Sequence, residues 1–148
     1  GLRIYNRVSH TEGGRVARSK DVMMRRFKRD LGKYRKQAIR YIDNAFKSLE
    51  AGEAEKAGEF IWGSMAQAVK GVAAARDIRL VSHNQLREFA MSLAKDLKDT
   101  AISRDFQVAN SLHSNFYEPE LTVAYVFQCL EQIRPTIGRL LSLVPSNM

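Results

Sequence analysis

Apolar residues recur at spacings of three and four along one unbroken run: Met23, Phe27, Leu31, Tyr34, Ala38, Tyr41, Ala45 and Leu49. Only an amphipathic helix puts all of these on one side, so the run fixes a long helix with a stripe for burial. Arg25, Arg26, Lys28, Arg29, Lys33, Arg35, Lys36 and Arg40 cover the other faces. Ser19 is a plausible N-cap and Gly52 a left-handed stop, so the spacing predicts a helix from about Ser19 to Glu50. Residues 1–18 hold Gly13-Gly14 and no periodicity, and read as a basic arm outside a single helical domain at 19–148.

The rest of the chain continues in the helical period. Ala54, Ala57, Ile61, Met65, Ala68, Val72 and Ala75 form the stripe of a second helix, about 53–75, whose N-terminal glutamates Glu53, Glu55 and Glu59 suit the helix dipole. Its other positions are unusually small (Gly58, Gly63, Ser64, Ala66, Gly71), which predicts close packing against the first helix. Ser82 with Gln85 three residues on is a capping box opening a third helix, inward through Leu86, Phe89, Ala90, Leu93 and Leu97. A polar connection at 98–104 leads to a short helix, about 105–115, inward through Phe106, Ala109 and Leu112. A last helix is expected from about Pro119 to Leu143, inward through Val123, Ala124, Phe127, Leu130, Ile133, Ile137 and Leu141, with Pro135 kinking or interrupting it. No strand pattern or repeat appears. The expected class is all-α, an up-and-down bundle of four to five helices.

Charge is distributed unevenly. Residues 1–40 carry 13 Lys and Arg against three acids, whereas 41–148 carry 11 against 13. All of the net +8 therefore sits in the arm and the first half of the first helix. Arg18, Arg25, Arg26, Arg29 and Lys36 are candidates for weak, sequence-independent binding of nucleic acid phosphates, with a solvated helix face as the alternative. No apolar run is long enough to cross a membrane. The N-terminus lacks the apolar core of a signal peptide, and one cysteine, Cys129, gives no disulfide framework, so the reducing cytoplasm is the expected compartment. Cys129 itself lies among apolar residues and reads as a buried hydrophobe.

Side chains able to do chemistry crowd into one stretch, Ala109-Asn-Ser-Leu-His113-Ser-Asn115-Phe-Tyr117-Glu118. His113, Asn115, Tyr117 and Glu118 there suit either a polar ligand or a buried network locking a helix end. His83, in the first turn of the third helix, reads as a ligand contact or a surface histidine. Trp62 reads as a core edge, an interface or a ligand contact. Three histidines and one cysteine offer no metal-ligand spacing, and there is no phosphate loop or assignable catalytic triad. No cofactor is called for.

The run Glu55-Lys-Ala-Gly-Glu-Phe-Ile-Trp-Gly-Ser-Met-Ala-Gln-Ala-Val-Lys70 resembles the signature of the archaeal PaREP family. Ser82-His83 followed by Leu86 and Phe89, and then Leu112-His113-x-Asn115-Phe-Tyr-Glu118, resemble its next two blocks. Together they cover roughly residues 40–141. That family is similar to the HEPN superfamily of helical domains, which form dimers and include nucleotide-binding domains, nucleotidyltransferase partners and ribonucleases. The resemblance implies a HEPN-like bundle and brings no established activity. The ribonucleases of the superfamily place an Arg before the His with four to six residues between them, but Phe106, Gln107 and Val108 stand at those positions. Arg76 and His83 have that spacing in a different block.

These features lead to three expectations. The first is a non-catalytic HEPN-like binding module, expected as a homodimer or with a nucleotidyltransferase or other protein partner, taking a nucleotide-like or protein ligand at His113, Asn115, Tyr117 and Glu118, with Trp62 and His83 nearby. The others are a ribonuclease with an altered site and a nucleic-acid-binding protein acting through residues 1–40.

Overall fold

The computed structural model describes residues 13–113 and 120–145, without the side chains of 13–18 and 26–30. Five helices account for nearly all of it: α1 (Gly13–Glu50), α2 (Ala54–Ala75), α3 (His83–Asp96), α4 (Thr100–His113) and α5 (Val123–Leu141). No strand occurs among the described residues. The fold is all-α.

Helix α2 is the centre of the bundle and packs on each of the other four. Its small residues allow this. A Cβ added at Gly63 would meet the Tyr41 ring at 2.9 Å, and one at Gly71 would meet Tyr34 Cβ and Val144 at 3.0 Å. Ser64 Oγ donates to the Ala38 carbonyl at 2.8 Å across the same seam. Ile61, Met65, Ala68 and Val69 are fully buried. Fully burying a side chain such as Ile61 or Met65 contributes roughly 1.5–3 kcal/mol.

The helix ends show why the chain turns where it does. Gly52 has φ of +78°, its N–H donates to Leu49, and the N–H of Glu53 donates to Ser48. This is the Schellman arrangement expected of a glycine there. The ends of α2 and α3 repeat it with Asp77 (φ 59°) and Lys98 (φ 52°) in the left-handed position. Ser82 caps α3 by accepting from the Gln85 N–H, while Gln85 Oε1 accepts from Val81 N–H. The capping box is thus present, shifted by one residue on its return bond.

Several boundaries and faces differ from expectation. Helix α1 begins at Gly13, ahead of Ser19. Gly13 and Gly14 therefore lie within the described helix and do not break it. The stripe is not covered at Met23: Val22, Met23 and Met24 are 44–54% exposed. Helix α4 starts at Thr100, five residues early, because Ile102 extends the Phe106 and Ala109 face and is buried with them. Helix α5 starts at Val123 behind the Thr122 cap, whose Oγ1 accepts from Tyr125 N–H. It runs through Pro135 to Leu141 as one element. Its first turns bury Val126 and Cys129, whereas Val123, Ala124 and Phe127, all expected inward, are exposed. The face is set by Gln132 and Thr136, which are bonded to α4, and not by the largest apolar side chains. Leu97, at the end of α3, is also exposed. Cys129 is buried as expected, and burial pushes its thiol pKa up, with a bond from Tyr125 opposing.

Candidate functional site

Helix α2 carries Trp62 on the side facing the start of α3 and the end of α4. Three rings close on it. The His83 ring lies 5.2 Å away between centroids, His113 stacks at 5.4 Å with 18° between planes, and Phe106 meets it edge-on at 5.4 Å. Trp62 is itself buried, at 9% exposure, while both histidines are exposed. The indole is a support carrying two imidazoles that face solvent.

One more α2 residue orients this group. Glu59, one turn before Trp62, sits 2.9 Å from His113 Nδ1. An ionised carboxylate can only accept, so Nδ1 carries the proton and donates, which leaves Nε2 of a neutral ring as an acceptor. Both side chains are nearly half exposed, at 44% and 46%. A buried network locking the helix end, one of the two readings of His113, therefore does not describe this residue.

Beside the rings lies a groove of about 250 Å³ lined by Trp62, Ala66, Lys70, Ser82, His83 and Leu86, among others. The arrangement offers two ring edges and faces, one ammonium and a hydroxyl. Imidazoles of this kind can stack on a planar group, hydrogen-bond to it or contact an anion. Among the described residues no group of side chains is arranged to hold a metal ion.

The structure thus joins three of the sequence-predicted site residues, Trp62, His83 and His113, drawn from three separate blocks of the chain. Asn115, Tyr117 and Glu118 lie outside the described residues. In the basic segment, Arg25 and Lys36 are exposed on α1, and the side chains of Arg18, Arg26 and Arg29 lie outside the described residues. Arg35 is not part of a free basic face: its Nη1 donates to the carbonyls of Leu141 (3.1 Å) and Val144 (3.4 Å), closing the end of α5.

Glu59 and Lys70 were not among the predicted residues. Both lie in the Trp62 block, three before and eight after it, so helical spacing alone carried a signal for Glu59. Also absent from the prediction was a closed polar cluster behind Phe106. Asp105, with a fully buried side chain, accepts from Arg104 Nε (2.9 Å), Gln132 Nε2 (2.8 Å) and Thr136 Oγ1. Arg139 reaches the same Thr136 and pairs with Asp99 at 2.9 Å. Burial alone would raise the Asp105 pKa, but the bonds from Arg104, Thr136 and Gln132 outweigh it and hold the carboxyl below its ordinary value.

The model of the archaeal PaREP1/PaREP8 family matches residues 33–137, which takes in Trp62, His83, His113 and most of the bundle. The chain belongs to that family. The PaREP resemblance read from the three sequence blocks is therefore correct, and those blocks converge on one indole. Comparison with curated proteins gives no match. No helix among the described residues of this PaREP1/PaREP8 protein is long and apolar enough to cross a membrane.

Proposed function

We propose that this PaREP1/PaREP8 protein is a non-catalytic, HEPN-like binding module that takes a nucleotide-like ligand against His83 and His113. The observation that carries the reading is the pair of exposed imidazoles propped on the buried Trp62, beside an open groove. Rings displayed in this way suit a planar base, and stacking of a base on an aromatic side chain contributes about 1–3 kcal/mol. The non-catalytic part of the reading is supported by Arg104. The Arg preceding His113 directs its guanidinium at Asp105 through two bonds, so it is committed to the closed cluster. A second copy is the proposed partner in assembly. Val123 and Phe127, four residues apart on α5, form an exposed apolar patch that a two-fold interface would cover.

Trp62 is the only tryptophan in the chain, so its emission reports on the site directly. Titration with adenosine and AMP is expected to change that emission and saturate, and His83→Ala/His113→Ala is expected to abolish the response. No emission change and no heat on injection at millimolar nucleoside would overturn the reading. Light scattering tests the assembly: a monomer mass across micromolar concentrations would remove the second copy.

A further inference from the structure

The groove beside Trp62 does not end at Lys70. A second concavity of about 370 Å³ adjoins it and shares two lining residues, Lys70 and Leu80. Its walls come from α1, α2 and the loop after α2, and they bring together Lys33, Lys70 and Arg79, with Tyr34 and Gln67. No carboxylate lines either concavity.

Several arginines elsewhere on the bundle are neutralised by a carboxylate. Arg76 pairs with Asp96, Arg104 with Asp105, Arg134 with Glu131, and Arg139 with Asp99. Among the described residues no carboxylate pairs with Lys33, Lys70 or Arg79. The Lys33 ammonium lies 5.7 Å from the Tyr34 ring centre instead. Three uncompensated cations facing one concavity repel each other and raise the local concentration of anions. The site is also anchored to the imidazoles: Trp62 and Lys70 are eight residues apart on one helix, about 12 Å along its axis.

We propose that this second concavity binds the phosphate chain of a nucleoside polyphosphate whose base lies against His83. The proposal rests on the nucleotide-binding reading of the Trp62 site and adds the ligand class. The placement of charge selects the ligand. Phosphodiesters in a strand carry charge spread along the chain, and would be met by cations strung out beside the stacking rings. Here the cations gather at one end of the groove and the rings at the other. That polarity matches a base with several phosphates at one terminus.

The experiment is calorimetry of the full chain in EDTA with adenosine, AMP, ATP, inorganic tripolyphosphate and a ten-nucleotide single strand. It is run on the wild type and on Lys33→Gln/Lys70→Gln/Arg79→Gln. Affinity is expected to rise from adenosine through AMP to ATP, with tripolyphosphate competing against ATP. Because hydrogen bonds to charged groups are the strong ones, the triple substitution should weaken ATP about a hundredfold and leave adenosine within about twofold. All three side chains line an open surface, so the variant is expected to fold, which circular dichroism checks. Equal binding of adenosine and ATP, or ATP affinity untouched by the triple substitution, overturns the phosphate assignment while the imidazole site stands. If none of the small ligands binds, both readings fall. Tighter binding of the single strand than of ATP overturns the proposal in favour of a nucleic-acid groove.

Discussion

Two polar clusters meet at Phe106, and the fold treats them in opposite ways. The Phe106 ring abuts Trp62, the support of His83 and His113. The preceding residue, Asp105, has a side chain with no exposure and takes a donor from each of three side chains. In the first cluster His113 is nearly half exposed, with Glu59 as its hydrogen-bonding partner. In the second, the acceptor capacity of a carboxylate is filled from within the chain. A closed cluster has nothing left to offer a ligand and contributes to holding α4 against α5. An open one costs little to rearrange and keeps donors and acceptors for another molecule. Polarity and burial together, and not polarity alone, distinguish the two.

The largest expected effect tests the closed cluster. Asp105→Ala leaves the buried Thr136 hydroxyl without its acceptor, while the exposed Gln132 amide can turn to water, so unfolding in urea should show a loss of about 1–3 kcal/mol. Arg104 is 60% exposed and can return to water, which keeps the loss from being larger. A loss under about 1 kcal/mol would mean that the cluster is not what joins α4 to α5. Asp105→Asn should retain part of the bonding and fall between wild type and Asp105→Ala.

Acid provides the next test. The folded Asp105 carboxyl titrates below its ordinary value, so the unfolded chain binds this proton more readily. Its contribution is therefore complete above the unfolded value, about pH 4, and is lost as pH falls through the lower folded value. Wild-type stability should drop across that window, and Asp105→Asn should lack that part of the drop. Parallel curves for the two proteins would show that other carboxyls govern acid unfolding.

The two clusters also differ in how far the sequence revealed them. The helices were legible because three-and-four spacing reports directly on burial: Leu31, Ala38, Ala45 and Leu49 in α1, and Ile61, Met65 and Val72 in α2, are all core residues. Gly63 and Gly71 announced close packing, and Tyr41 and Tyr34 occupy the space their missing side chains leave. Trp62, His83 and His113 could be named one by one, but their meeting depends on how α3 and α4 lie against α2, which no local pattern encodes. Asp105 was missed although it stands at core register between Ile102 and Phe106. A charged residue there reads as a helix start until its three partners, two of them on α5, are known. The start of the α5 face was misjudged: Phe127 was expected inward by its apolar size and spacing, yet it is exposed, whereas Cys129 is buried as expected.

In the open cluster the stability effects should be smaller. His83→Ala and His113→Ala each remove a ring contact from Trp62 at a half-exposed place, so each should cost about 1 kcal/mol or less. Trp62 emission should rise when either imidazole, a quencher in its charged form, is removed. A loss above about 2 kcal/mol from either substitution would make these histidines structural and would weaken the contrast with Asp105.

The smallest expected effect is the most specific. Glu59→Gln keeps the shape of the side chain that meets His113 but replaces an acceptor with a group that both donates and accepts. Stability should change by less than about 0.5 kcal/mol, as for other exposed pairs. The ring itself should respond. With Glu59 in place, the neutral imidazole carries its proton on Nδ1, because the carboxylate accepts and cannot donate. With glutamine, the amide can serve either tautomer and that constraint is gone. Nitrogen chemical shifts of the His113 ring, measured where the imidazole is neutral, distinguish the two forms. The wild type should show the Nδ1–H tautomer, and Glu59→Gln should show a mixture. A wild-type ring protonated mainly on Nε2 would mean that Glu59 does not orient His113 in solution. The open cluster would then be two independent surface histidines sharing one indole, without a preset acceptor for a ligand.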